Sequence, residues 1–118
     1  MLSKTPVQGV YLATGTTDLR KSIDGLAAMV QMSFKLDPFS SHLFVFCNRK
    51  RDKLKILHWD NNGFWLYYRR LEKGVFQWPD EQVSTPLSIS PRQFNWLLDG
   101  LPIEQKQAHP KMGVKYII

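Results

Sequence analysis

Residues 43–79 read LFVFCNRKRDKLKILHWDNNGFWLYYRRLEKGVFQWP, a series of short aromatic and aliphatic runs broken by a dense basic turn. The runs at 43–47, 54–59, 64–68 and 75–78 have the length and the β-branched or aromatic content of strands. Between the first two lies Asn48-Arg49-Lys50-Arg51-Asp52-Lys53, four cations in six residues. Between the next two lies Asp60-Asn61-Asn62-Gly63, whose Asn-Gly pair suits the positive φ of a tight hairpin. A folded sheet that carries several Arg and Lys out on one turn is built to meet something anionic.

If both turns join antiparallel strands through loops of even length, alternation sorts the side chains onto two faces. Phe44, Phe46, Leu57, Trp59, Phe64, Leu66 and Tyr68 share one face. Leu43, Val45, Cys47, Leu54, Ile56, His58, Trp65, Tyr67 and Arg69 share the other. Both faces are apolar, so both need cover. One cover is an amphipathic helix over residues 18–34, with Leu19, Ile23, Leu26, Ala27, Val30 and Phe34 at helical spacing. Thr16 or Thr17 would cap it, and Asp18 would face the positive end of its dipole. Gly25 inside that helix costs about 1 kcal/mol against alanine, and close packing on the sheet would explain it. Ahead of the helix, residues 10–13 read as a first short strand. Behind the sheet, residues 90–100 form a second helix with Ser90 as N-cap, Pro91 in the first turn and Gly100 as the stop. Residues 80–86 read as a loop. Residues 113–118 suit an edge strand or a docking segment. The expected fold is α+β: an antiparallel sheet of four or five strands arranged as a hairpin meander, with an N-terminal amphipathic helix and a short C-terminal helix.

At 118 residues the chain is one domain over 1–118, with a core at about 10–101 and a less regular tail at 102–118. It has no apolar run near the length of a membrane-spanning helix, and its first residues lack the apolar centre of a secretory signal. Cys47 is the single cysteine, which fits a reducing, cytoplasmic setting. The net charge of +6 and a pI near 9.6 favour a polyanionic partner, with duplex DNA the first expectation. The candidate contacts are Arg49, Lys50, Arg51 and Lys53 on the turn, supported by Lys55, Arg69 and Arg70, with Arg20 and Lys21 extending the surface. The bland alternative is a solvated loop that keeps the hairpin soluble. Trp65 and Tyr67, which share a face with Arg69, are the best candidates for stacking on bases, although strand aromatics are more often core.

Catalysis finds less support. A two-metal nuclease needs acids converging from separate elements. Asp18, Asp24, Asp37, Asp52, Asp60, Glu72, Asp80 and Glu81 mostly sit where capping, turns or ion pairing suffice. His42, His58, His109 and Cys47 lack zinc spacing, and no glycine-rich phosphate loop is present. No cofactor or metal is expected. His58 reads as a partly buried ring with one satisfied nitrogen, and Cys47 as a small buried hydrophobe.

Taken together, Asp18-Leu19-Arg20-Lys21-Ser22-Ile23-Asp24-Gly25-Leu26-Ala27, Asp37-Pro38, the 43–55 stretch, Trp59-Asp60, Gly63-Phe64-Trp65-Leu66, Arg70-Leu71-Glu72-Lys73-Gly74 and Trp78-Pro79 resemble the TnpB-type accessory proteins of the insertion-sequence-66 group of bacterial transposable elements. Ser41 stands where that family more often has glycine, and His58 where it often has tyrosine. The resemblance implies a small product needed for efficient transposition and encoded beside a larger transposase that carries the catalytic acidic triad. The family shares a name with RNA-guided nucleases of another transposon group, whose zinc-binding cysteines and nuclease triad this chain lacks. Two partners follow as expectations: DNA, or the transposase or another element-encoded protein met by an adaptor. Pairing into a homodimer is a further arrangement the sequence leaves open.

Overall fold

A computed structural model describes residues 7–80 and 85–104. In chain order the elements are β1 (Val10–Leu12), α1 (Ile23–Met32), β2 (Leu43–Cys47), β3 (Lys53–Asp60), β4 (Gly63–Arg70), β5 (Leu87–Ile89) and α2 (Pro91–Leu98). The strands form one sheet in the order β4-β3-β2-β1-β5. The fold is α+β, as expected, and the β2-β3-β4 meander is antiparallel throughout. The β1–β2 pair is parallel, with Val10 opposite Leu43 and Leu12 opposite Val45. Parallel neighbours need a long crossover, and α1 supplies it.

Both hairpin loops are even, since Cys47 pairs with Leu54 and Asp60 with Gly63. The two faces therefore sort as alternation demands. Phe44, Phe46 and Leu57 pack with Leu26, Val30 and Phe34 of the α1 side, and Phe64 and Leu66 pack against that cluster. Leu43, Val45, Cys47, Leu54 and Ile56 pack on the other side with Phe94 and Leu97 of α2 and with Phe76 and Trp78. Every residue of β2 is buried, because it lies between strands and beneath cover on both faces. In the β3–β4 turn the left-handed backbone falls on Asn61 (φ 61°), while Gly63 is already in the ladder opposite Asp60. The Asn-Gly expectation thus placed the turn one residue late.

Three other expectations are corrected. The run 75–78 is not a strand: the Phe76 amide donates to the Arg51 carbonyl at 2.7 Å, and Phe76 and Trp78 serve as lids on the core. The second neighbour of β1 is β5, paired antiparallel through Val10–Ile89 and Leu12–Leu87. Helix α1 starts at Ile23 with Ser22 as N-cap, because the Thr17 amide is already committed to the Cys47 carbonyl at 2.8 Å. At Gly25 the nearest atom to an added Cβ is the Lys21 Cβ at 3.3 Å, so the sheet does not dictate that glycine. Helix α2 matches its sequence signature. The Ser90 hydroxyl accepts from the Gln93 amide at 3.1 Å and the Gln93 side chain accepts from the Ser90 amide at 2.8 Å, a reciprocal cap. Gly100 (φ 80°) closes the turn beyond it. Of the loop expected at 80–86 only the two ends are described, and the segment expected at 113–118 lies outside the described residues.

His58 departs from its expected environment. It is fully buried, and neither ring nitrogen has a hydrogen-bond partner among the described residues. Burial holds its pKa below the ordinary value, with Asp60 opposing weakly. A histidine kept neutral by the fold leaves stability intact above about pH 6.5, where the unfolded chain is neutral too. Below that pH the unfolded chain takes up a proton the folded one refuses, and stability falls. We therefore expect the urea midpoint of the wild type to drop more between pH 7.5 and pH 5.5 than that of H58L. Parallel loss in both proteins would rule His58 out as the source.

Candidate nucleic-acid interface

The basic turn is built by its own asparagine. The Asn48 side-chain oxygen accepts from the amides of Asp52 and Lys53 at 3.1 and 3.0 Å, and its amide group donates to the Asp52 carboxylate at 2.7 Å. These bonds, chiefly the one from Asn48, hold Asp52 below its ordinary pKa. They also turn the one acid of the segment inward, 3.9 Å from Lys53, leaving Arg49 and Lys50 exposed at the tip. Arg51 adopts φ 63°, which costs a non-glycine residue on the order of 1 kcal/mol. Its carbonyl bond to Phe76 helps to fix that reversal.

Register decides which other cations join the turn. Lys53 pairs with Arg70 and Lys55 with Tyr68, in the rows that face α1. The Lys55 ammonium donates to the Lys21 carbonyl at 3.2 Å, bringing the start of α1 beside β3. Lys21, Lys53 and Lys55 thus border the turn on the α1 side. Arg70 lies there too, but Glu72 grips its guanidinium at 2.8 Å and pushes its pKa up. Arg20 is bound by Asp18 through three side-chain contacts of 2.7 to 3.1 Å, and that guanidinium holds the Asp18 carboxyl well below the usual range. Arg69 points to the opposite face, where its guanidinium reaches the Leu98 carbonyl at 3.5 Å. The nine candidate cations therefore divide into a central group around residues 49–55 with Lys21, two flanking ion pairs, and one outlier.

The parallel β1–β2 pair adds a wall that sequence reasoning missed. The loops after β1 and β2 leave the sheet at the same end, and the Ala13 and Thr17 amides bond the Val45 and Cys47 carbonyls at 2.9 and 2.8 Å. A cleft of about 410 Å³ lies between Thr16 and Thr17 on one side and Arg49, Lys50 and Lys53 on the other. A neighbouring cleft of about 420 Å³ shares Thr16 and Arg49 and reaches Gly15 and Arg51. Local rules make the threonines helix caps, and only the long-range strand pairing gives them this position.

The other side chains weighed for chemistry have local duties. Asp37 accepts from the Phe39 amide and Asp60 from the Trp65 indole. Among the described residues no three His, Cys, Asp or Glu side chains converge, and Glu81 lies outside those residues. Burial pushes the Cys47 thiol up to about 12, so it stays protonated and unreactive. Trp65 and Tyr67 stack on each other at 5.9 Å, with Tyr67 packed against the core. Among the described residues no helix is long and apolar enough to cross a membrane.

The fold is a small α+β domain with a basic turn at one end of its sheet, and comparison with known proteins gives it a family. Residues 8–108 match the family described as IS66 Orf2 like protein, and the chain belongs to it. Membership ties it to the IS66 insertion sequences and to an accessory role in transposition. Two relatives from Sinorhizobium fredii (strain NBRC 101917 / NGR234) are similar over 92 residues: the uncharacterized protein y4hO at 40% identity, covering 78% of this chain and 79% of the relative, and the uncharacterized protein y4jC at 34%, covering 78% of each. No solved structure matches the chain significantly.

Replacing Asn48 by alanine removes the bonds that shape the turn. The expected cost is about 1–3 kcal/mol of folding stability, read from urea denaturation. A variant as stable as the wild type would show that the turn closes without that side chain.

Proposed function

We propose that the chain is a non-catalytic, cytoplasmic accessory factor of transposition that binds duplex DNA through the basic turn. Arg49, Lys50, Arg51 and Lys53 are the primary contacts, Lys21 and Lys55 extend them, and the ion-paired Arg20 and Arg70 flank them. One observation carries the reading: the cations of the turn stand at one end of the sheet, and of the acids beside them Asp18 and Asp52 are held by Arg20 and Asn48, which leaves Asp80 next to Arg49 and Arg51. Cations that outnumber the carboxylates beside them make a locally positive surface, and such surfaces bind phosphate backbones with release of counterions. Arginine adds planar, bidentate grips that a lysine cannot make. Arg69, on the far face, has the weakest claim to contact the same duplex.

A second reading rests on a different observation. At the opposite end of the β3–β4 hairpin, Phe39 is 55% exposed and lies edge-on to Trp59 at 4.9 Å, with Phe64 at 5.5 Å. An exposed aromatic cluster of this kind suits protein docking, and the partner transposase is the natural occupant for an adaptor.

Duplex DNA titrated by fluorescence anisotropy across salt separates the two. The triple variant R49A/K50A/R51A is expected to bind more weakly and to flatten the log–log salt dependence by about 0.9 per lost phosphate contact. Equal affinity of variant and wild type at matched low salt would refute the DNA reading. Capture of the transposase by a wild type that has no DNA affinity would favour the adaptor.

A further inference from the structure

We infer that the cleft between the loop after β1 and the basic turn seats a backbone phosphate of the bound DNA, with the Thr16 and Thr17 hydroxyls as uncharged partners of the cations. This rests on the DNA reading above and assigns a role to residues outside the basic run. The cleft holds three cations, Arg49, Lys50 and Lys53, against two threonines in a volume of about 410 Å³. A phosphodiester needs several donors from different directions and a net positive surround, and hydroxyls with Arg and Lys are the usual set. Asp18 also borders the cleft, but its carboxylate is taken up by Arg20, which lowers its repulsion of an anion. The loop is held before any ligand arrives. Ala13 and Thr17 are bonded to β2, and the Gly15 amide donates to the Pro79 carbonyl at 3.0 Å. A wall fixed in advance binds without a large ordering cost.

The adjoining cleft extends the path. It shares Thr16 and Arg49 with the first and adds Arg51 and the backbone of Gly15 (φ 76°), where no side chain blocks close approach. Asp80 limits its positive charge, so the first cleft is the main seat. The two clefts adjoin through Thr16 and Arg49 at the carboxyl ends of β1 and β2, so a strand seated in the first can continue into the second.

The test uses the full chain with two duplexes of equal length and sequence, one linear with 5′-phosphates and one closed by hairpin loops at both ends. Thr16 is exposed, so T16V removes its hydroxyl and T16E places a carboxylate in the cleft with little threat to folding; thermal melts confirm both. T16V is expected to lose about tenfold in affinity for both duplexes with an unchanged salt slope, since no charge is removed. T16E is expected to lose more than tenfold. Wild-type affinity in T16V and T16E, alongside weakened binding by R49A/K50A/R51A, would overturn the cleft assignment and leave the DNA reading standing. Binding of the linear duplex alone would also overturn it, because the cleft would then take a terminal phosphate. A wild type without DNA affinity would remove both.

Discussion

The parallel alignment of β1 with β2 places the rest of the molecule. It is held by a three-residue ladder and continued beyond the strand by the Ala13–Val45 and Thr17–Cys47 bonds. Because the two strands run the same way, the loop that leads into α1 and the basic turn that leads into β3 leave the sheet together. An antiparallel β1 would send that loop to the opposite end, beside the Asn61 turn, and the cations would have no second wall. The crossover that makes the alignment possible is α1 itself, whose Leu26 and Val30 are fully buried against Phe44, Phe46 and Leu57. Core packing and the shape of the basic edge are therefore one problem with one solution.

The opposite face of the sheet reinforces the same edge. Phe76 and Trp78 close the second core without joining a ladder, and each is tied to a loop that borders the clefts. The Phe76 amide holds Arg51, and the Trp78 indole donates to the Ala13 carbonyl at 3.1 Å. A buried tryptophan with its N–H satisfied is a stiff anchor. The chain next to it, through Pro79, accepts from Gly15. Large hydrophobic side chains on one side of the sheet thus fix the backbone of both cleft walls, which sit at its end.

Period-two alternation made β2, β3 and β4 legible because their apolar residues divide between two cores, and a register slip would send each set to the wrong face. The alternation read from sequence put Phe46 and Leu57 on one face and Val45 and Ile56 on the other, and the ladder keeps them so, with Phe44 opposite Leu57 and Val45 opposite Ile56. The α2 cap was equally legible, since Ser90, Pro91, Gln93 and Gly100 act within a few residues of one another. What escaped was long-range. Residues 87–89 are too few to show a pattern, and only their pairing with β1 makes them a strand. Residues 75–78 have strand composition, yet the amide of Phe76 is spent on Arg51 instead of a neighbouring strand. Thr16 and Thr17 look like caps by local rules, and a single distant bond to Cys47 overrides those rules. The same division holds at the basic edge. Its cations are contiguous in sequence and so were visible, while the threonines opposite them are more than thirty residues away.

Charge count alone would overstate that edge. Exposed ion pairs such as Arg20–Asp18 and Arg70–Glu72 contribute little to stability, and their effect on the surface is to cancel charge. Subtracting them leaves Lys21, Arg49, Lys50, Arg51 and Lys55, together with Lys53 in its longer 3.9 Å pair with Asp52, a smaller set than the sequence suggested but a more concentrated one. Asp52 does not quench it, because Asn48 takes the carboxylate's strongest bond and keeps it under the turn at 3.9 Å from Lys53. An asparagine that satisfies two backbone amides and one carboxylate at once does more than shape a loop. It engages the one acid of the turn, which stays 3.9 Å from Lys53 while Arg49 and Lys50 stand exposed at the tip, so the geometry of the turn and the charge of its tip have a common origin.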